Sequence, residues 1–186
     1  MSRTDKWNQR YAGKGDKLPE LPAVISDQLA TLPKGRTLDL ACGDGAAALQ
    51  LAGLGHDVVA VDFAEQGILR MRQFAESQGL NIDGRVADLQ NIQSLDGLGQ
   101  FDNIVICRYK PEPDLIEALS ELMCIGGSLF ISTFNKLHHQ RSGFRSELCL
   151  ASGQYLETFS DFQLEFYQDG VPNNSNLDIY LFKRLF

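Results

Sequence analysis

The sequence predicts an α/β fold: a seven-stranded, mostly parallel sheet with helices on both faces and a C-terminal antiparallel hairpin. Three observations predict it. Between Thr37 and Phe134, apolar β-branched runs alternate with helix-patterned segments, as βαβ units require. Those runs read as buried strands, and acids stand at their ends. The last two strand-like runs, Phe162–Gln168 and Leu177–Phe186, have no helix between them. At 186 residues, one domain spanning 1–186 is expected, with ample chain for a core.

Each element follows from local pattern. Residues 1–17 form a polar leader whose one large anchor is Trp7, with Tyr11 beside it. Such a leader is expected to act as a mobile lid. Leu21, Val24, Ile25, Leu29 and Leu32 fall at helical spacing over Pro19–Leu32, and Pro33-Lys34-Gly35 ends that helix. Thr37–Ala41 reads as a strand running straight into Cys42-Gly43-Asp44-Gly45. Ala46–Leu54 is rich in Ala and Leu, a helix closed by Gly55. Val58–Val61 is a second strand, ending in Asp62. Glu65–Gln78 is an amphipathic helix stopped by Gly79, and Ile82–Ala87 a third strand ending in Asp88. Phe101–Cys107 is the fourth strand. Pro113–Met123 is a helix punctuated by Gly126-Gly127, and Ser128–Phe134 is the fifth strand. Right-handed crossovers make this a Rossmann-like topology. The polar, basic stretch 135–160 is expected on the substrate side, as a long loop finishing in a short helix near Gly153–Phe159. Asp169–Asn174 is turn chemistry, which leaves one strand antiparallel to the rest.

Composition narrows function. The net charge of −7 disfavours phosphate backbones and anionic membranes. The N-terminus shows no apolar run suited to a signal or anchor. Cys42, Cys107, Cys124 and Cys149 are widely spaced, without the pairing of a zinc site or redox dithiol. The expectation is a reduced cytoplasmic protein, monomer or homodimer, with a small-molecule substrate, no nucleic acid, no membrane and no metal.

The most informative segment is Leu38-Asp39-Leu40-Ala41-Cys42-Gly43-Asp44-Gly45. Glycines after a buried strand let the chain turn sharply and let a ligand approach, and the next helix offers unpaired N–H groups. In open α/β sheets, ligands bind beyond the carboxyl ends of the strands. Asp39, Asp62 and Asp88 end three successive strands beside this one loop. Asp62 is placed to accept from both ribose hydroxyls of an adenosine, and as a strand-end acid it is expected to do little for packing. Asp88, with Leu89, is placed to meet an adenine amine.

Two nucleotide readings compete. Gly43-x-Gly45-x-x-Ala48 fits a permissive dinucleotide fingerprint, which would make the protein an NAD(P)-linked oxidoreductase. Against it, Asp39 and Asp44 put two negative groups where pyrophosphate would sit. A cofactor bearing an ammonium and a sulfonium tolerates them. A Walker lysine is absent, against a P-loop hydrolase.

Leu38–Gly45 followed by Gly55-His-Asp-Val-Val-Ala-Val-Asp-Phe63 resembles class I S-adenosylmethionine-dependent methyltransferases. Within that class the chain is most similar to the small bacterial tellurite-resistance-type group. Trp7-Asn-Gln-Arg-Tyr11 looks like that group's leader. Phe101–Tyr109 with Pro113 looks like its fourth-strand segment, and Gly126-Gly127 and Thr133-Phe134-Asn135 like the surroundings of its fifth. The resemblance implies S-adenosylmethionine as cofactor. It implies Asp39 near the cofactor's amino end and Gly43 and Gly45 along its methionine and ribose. It also implies Asp62 and Phe63 at the ribose and its surroundings, Asp88 and Leu89 at the adenine, and Arg108 near the reacting methyl. Ala41, part of the same site, stands where many members carry a glycine. Ala46 and Ala47 replace residues that are often polar.

Methyl transfer from a sulfonium needs alignment and a water-poor site more than acid–base help. A base is needed only for a protonated nucleophile, and His138 and His139 are the candidates, against a reading as two solvated histidines. Arg108 and Tyr109 complete the catalytic candidates. The substrate expected is small, anionic or soft. A protein that binds the cofactor without catalysis is a third reading.

Overall fold

The computed structural model describes residues 1–170 and 176–186. Seven strands form one sheet: β1 (Arg36–Leu40), β2 (Asp57–Asp62), β3 (Ile82–Val86), β4 (Phe101–Cys107), β5 (Met123–Phe134), β6 (Phe162–Gln168) and β7 (Leu177–Arg184). Their order is β3-β2-β1-β4-β5-β7-β6. β1 to β5 pair in parallel, and β7 pairs antiparallel with both β5 and β6. Only β7 therefore runs against the others, as expected. The strand order turns back between β1 and β4, and such a switch point opens a crevice at the strands' carboxyl ends.

Helices α1 (Arg3–Ala12), α2 (Ala23–Leu29), α3 (Ala46–Gly53), α4 (Glu65–Ser77), α5 (Pro113–Leu119) and α6 (Lys136–Ser142) cover the sheet and its carboxyl edge. Alternate residues of each strand feed opposite faces. Leu38, Leu40, Ile104 and Ile106 pack with Leu115, Tyr155 and Tyr180 on one face. Ala60, Val105 and Phe130 pack with Ile25, Ala48 and Ile68 on the other. Among the described residues, no helix is long and apolar enough to cross a membrane.

Four local expectations change. The leader is helical: Ser2 accepts from the Asp5 N–H, and the Asp5 carboxylate accepts from the Ser2 N–H, a capping box that starts α1. Tyr11 is its buried anchor, while Trp7 is 37% exposed and stacks on Tyr11 from outside. In 135–160 the helix comes first, at Lys136–Ser142, because Asn135 caps it with bonds from the Leu137 and His138 N–H groups. The expected helix near Gly153–Phe159 is a series of turns. α5 stops at Leu119, and β5 starts at Met123, running through Gly126-Gly127 where its register with β4 shifts. Of the turn expected at 169–174, residues 171–174 lie outside the described residues.

Candidate functional site

The carboxyl ends of β1 and β2 are tied together by their acids. Gly45 is the N-cap of α3 and has no side chain to cap it, so Asp39 does this from β1: its Oδ2 accepts from the Ala48 N–H at 3.0 Å. Asp62 accepts from the Gly43 N–H and the Ala64 N–H, both at 2.8 Å. It thus pins the glycine turn to the start of α4. Both acids are buried. Burial pushes the Asp39 carboxyl up to about 8; the Ala48 N–H opposes this, and the nearby Asp62 charge adds to it. Burial also raises Asp62, against the Ala64 and Gly43 N–H groups and Arg3. Asp62 is therefore architectural as well as cleft-facing, which corrects the expectation that it does little for packing.

The glycines serve packing too. Gly43 has φ 58°, and a Cβ there would meet the Tyr11 hydroxyl at 2.5 Å, so α1 closes directly on the turn. Gly45 has φ 89°, and its missing Cβ is directed at Met71 of α4 rather than into the cleft. Ala41 adopts the same left-handed backbone, φ 57°, without being glycine. Asp44 turns away from the cleft acids. It meets Lys14 at 2.8 Å and Arg70 at 3.5 Å, so its charge is answered locally. The case against pyrophosphate then rests on Asp39, because an acid at the place of Asp62 suits the ribose of either cofactor.

A cavity of about 30 Å³ lies between Ala41, Asp62, Phe63, Asp88, Leu89 and Tyr109. Its remaining wall is Arg3, whose Nη2 donates to both Asp88 oxygens, at 2.6 and 2.7 Å. The Arg3 guanidinium lies 4.3 Å from the Phe63 ring centroid. Asp88 also accepts from the Gln90 N–H. Burial pushes its carboxyl up, but Gln90 and Arg3 outweigh that, and it lies below its ordinary value. A larger open groove of about 350 Å³ is lined by Leu18, Glu20, Ala46 and Gln78 and contains none of the expected site residues.

The catalytic candidates are spread more widely. Arg108, exposed and with φ 59°, follows β4 and donates its N–H to the Ser132 carbonyl at 2.6 Å. Tyr109 is half-buried on the cavity wall. His138 and His139 lie on α6, where adjacent residues point about 100° apart, so they do not act as a pair. His138 stacks on Phe134 at 4.3 Å with its Nδ1 3.3 Å from Asn176 Nδ2. His139 is exposed, its Nδ1 2.5 Å from the Phe144 carbonyl oxygen. Neither lines the cavity.

Residues 37–125, from β1 into β5, match the model of the methyltransferase domain family. Over that stretch the chain is similar to methyltransferase domains. Over 121 residues it is 34% identical to a ubiquinone biosynthesis O-methyltransferase of Glaesserella parasuis, covering 61% of this chain and 51% of that protein. The chain thus spans about half the length of the curated relatives it matches. Among solved structures, the N-methyltransferase NodS from Bradyrhizobium japonicum, in complex with S-adenosyl-L-homocysteine, superposes with a TM-score of 0.74. It has 17% identity, and the match covers 98% of this chain and 99% of that one. TehB from Haemophilus influenzae gives 0.72 at 19% identity, covering 100% and 68%. The oxidoreductase reading of the glycine turn gives way to the methyltransferase match, and S-adenosyl-L-homocysteine is the ligand in the NodS structure.

Within the matched stretch, Ala41, Asp62, Phe63, Asp88 and Leu89 of the residues expected at the cofactor line one cavity with Gly43 beside it, whereas Asp39, Gly45 and Arg108 do not line it. The sequence reading expects the leader as a lid over the cofactor but does not foresee the contacts of Arg3 and Asn8. Arg3 reaches Asp88, and the Asn8 Oδ1 accepts from the Gln66 N–H at 3.0 Å. The Ser2 and Asp5 pair was the available signal for α1. Nothing local in the sequence signals where that helix docks.

Proposed function

We propose that this domain transfers the methyl group of S-adenosylmethionine to a small-molecule nucleophile. The observation that carries the reading is the arc of carboxylates: Asp39 and Asp62 buried, and Asp88 at the rim, around the turn at Gly43. A buried acid such as Asp39, which a ligand ammonium would ionise, suits a cofactor bringing an ammonium and a sulfonium better than a pyrophosphate.

The residues fit that cofactor. A planar N–H donor, the Arg3 guanidinium, already sits against Phe63 and Asp88, which is the donor and shape pattern of an adenine. Asp62 uses one lone pair of each oxygen on backbone N–H groups, which leaves others for the ribose hydroxyls. Asp39 serves the amino end, and Leu89 is an apolar floor beside Asp88. The bound cofactor supplies an electrophilic methyl on sulfur. The chain's own task is to hold the two reactants in line and keep water out.

The acceptor is small and anionic or soft. Arg108 stands exposed at the end of β4, and Lys110, Arg141 and Arg145 follow on the same substrate-side segments. The O-methyltransferase names of the curated relatives favour a second acceptor class, a hydroxyl oxygen. Such an acceptor arrives protonated, and His138 is then the base to test.

The test is turnover by the purified full chain. S-adenosylmethionine is incubated with a panel of thiols, oxyanions, carboxylates and phenols, and S-adenosylhomocysteine is read by mass spectrometry. Product formation with at least one acceptor is expected. Tight binding of S-adenosylhomocysteine without turnover on any acceptor or cell-extract metabolite would leave a non-catalytic binder. Binding of NAD(P)H in its place would overturn the cofactor.

A further inference from the structure

We propose that Arg3 is a built-in competitor of the cofactor's adenine: with α1 docked, its guanidinium occupies the adenine subsite, and the first turn of α1 must withdraw before the cofactor seats. This rests on the cofactor reading above.

The argument starts from shape. A guanidinium is planar, weakly hydrated, and carries N–H donors along its edges. The amino edge of an adenine is likewise planar and donating. Both groups suit one flat aromatic face and one carboxylate. Arg3 lies 4.3 Å from the centroid of the Phe63 ring and donates to both oxygens of Asp88. Asp88 is the acid expected at the adenine, and Phe63, expected at the surroundings of the ribose, lines the same cavity. Occupancy is exclusive, because the space left beside Arg3 is about 30 Å³, whereas small-molecule clefts measure ~300–1,000 Å³.

The helix is built to present Arg3 and to let it go. The Ser2–Asp5 capping box sets the helix start, which makes Arg3 its first residue. The opposite end of α1 is held in depth. Tyr11 is buried over Gly43, Lys14 reaches Asp44, and the Arg70 guanidinium binds the Gly15 carbonyl. Asn8 holds the middle through the Gln66 N–H. The first turn has no buried residue and touches the domain through Arg3. The Arg3 and Asp88 side chains are 40% and 47% exposed, so the ion pair is weak and open to exchange. The plug is thus displaceable, and the rest of α1 remains as a hinge and cover.

Calorimetric titration of the full chain with S-adenosylhomocysteine, and separately with adenosine, tests this on wild type, Arg3→Met and Arg3→Lys. Adenosine lacks the amino-acid portion, so it confines the effect to the nucleoside end. Arg3→Met is expected to bind both ligands about three- to thirtyfold more tightly, the range for losing one exposed ion pair and one cation–π contact. Arg3→Lys, which keeps the charge but not the planar fork, should fall between. Raising the salt should tighten binding to wild type more than to Arg3→Met, because screening loosens only the former's plug. Unchanged or weaker binding by Arg3→Met would overturn the competition and make Arg3 an ordinary covering contact. If no variant binds either ligand while all three melt cooperatively, the cofactor reading falls and takes the plug with it. Binding of S-adenosylhomocysteine with equal affinities throughout removes the plug alone.

Discussion

The two sides of the sheet handle buried carboxylates differently. At the β1–β2 side, Asp39 and Asp62 accept from backbone N–H groups of Ala48, Gly43 and Ala64. At the β5–β7 side, Asp178 is fully buried too, yet one oxygen takes both of its bonds, from Asn135 Nδ2 and the Gly170 N–H. Its other oxygen, and the hydroxyls of Thr133 and Tyr180, have no partner among the described residues. Acids tied to backbone fix where loops and helix ends lie. A polar patch made largely of side chains leaves the fold to the apolar core around it. The first side is architecture on which the proposed cofactor site is built, and the second is a lining expected to tolerate change.

The largest expected effect tests that contrast directly. Asp62→Ala strips the acceptor from two backbone N–H groups, and bonds to a charged group contribute roughly 1.5–3 kcal/mol each. Allowing for non-additivity, about 3–5 kcal/mol of folding stability should be lost, and affinity for S-adenosylhomocysteine should fall about thirtyfold or more in whatever remains folded. Asp178→Asn keeps the acceptor for Asn135 and Gly170 and turns an unpartnered oxygen into a donor, so its stability should stay within about 1 kcal/mol of wild type. Urea denaturation of both variants measures this. If Asp178→Asn were the more damaging of the two, the contrast would be reversed.

The same contrast explains what was legible in the sequence. Strands β1, β2 and β4 announced themselves because contiguous apolar residues are needed wherever a strand is covered on both faces, as Leu38, Leu40, Val61 and Ile104 are. The acids at their ends were legible because strand-end position follows from the strand itself. Only β7 being antiparallel followed from the absent helix before it. What failed was non-local. Asp44 read as a cleft charge, but its partners Lys14 and Arg70 come from segments far along the chain. α1 is polar overall and has only Tyr11 buried, so no run of apolar residues marks it as a docked element, and its place is set by docking on α4. The sequence pattern places a helix at 153–159 because the one-residue signal of the Asn135 cap, which starts α6 at Lys136, is outweighed by the polar composition around it.

The next effect is a pH dependence at Asp39. Its folded carboxyl is pushed up to about 8, against an ordinary value of 3.8, first by burial and then by the charge of Asp62, with the Ala48 N–H opposing. The folded state therefore holds a proton that the unfolded state has released. Stability must decline as pH rises from about 4 towards 8 and level off above that. Asp39→Asn keeps an acceptor for the Ala48 N–H and cannot ionise. Its stability should overtake that of wild type across this window, with a gap on the order of a few kcal/mol at pH 9. Burial keeps the nearby Cys42 and Cys107 thiols protonated across this window, and Asp62 is present in both proteins, so the difference between the two curves reports Asp39. Denaturation midpoints at five pH values check this, and parallel curves would show that Asp39 is already ionised. A ligand ammonium that favours ionised Asp39 should also release a proton on binding below pH 8, visible as a buffer-dependent heat.

The smallest effect concerns strain, and again sets one flank of the cleft against the other. Among the described residues, two that are not glycine have left-handed backbone: Ala41 after β1, φ 57°, and Arg108 after β4, φ 59°. They flank the switch point. A left-handed residue with a Cβ costs ~1–2 kcal/mol, while glycine adds ~0.5–1 kcal/mol of unfolded-state entropy. Ala41→Gly should therefore gain up to about 1 kcal/mol, with affinity for S-adenosylhomocysteine within about threefold, because only one methyl leaves the cavity wall. Arg108→Gly relieves the same backbone and should gain a similar amount, but it also removes an exposed guanidinium from the end of β4. Its cost should appear in KM for anionic acceptors, with kcat nearly unchanged. Thermal melts of the two variants, paired with titration and steady-state rates, separate strain from contact. Destabilisation by Ala41→Gly would show that its methyl packs the cavity wall more than its backbone strains it. The left-handed turn after β1 would then be held by the bonds of Asp62 to Gly43 at little cost, and strain would be confined to the β4 flank.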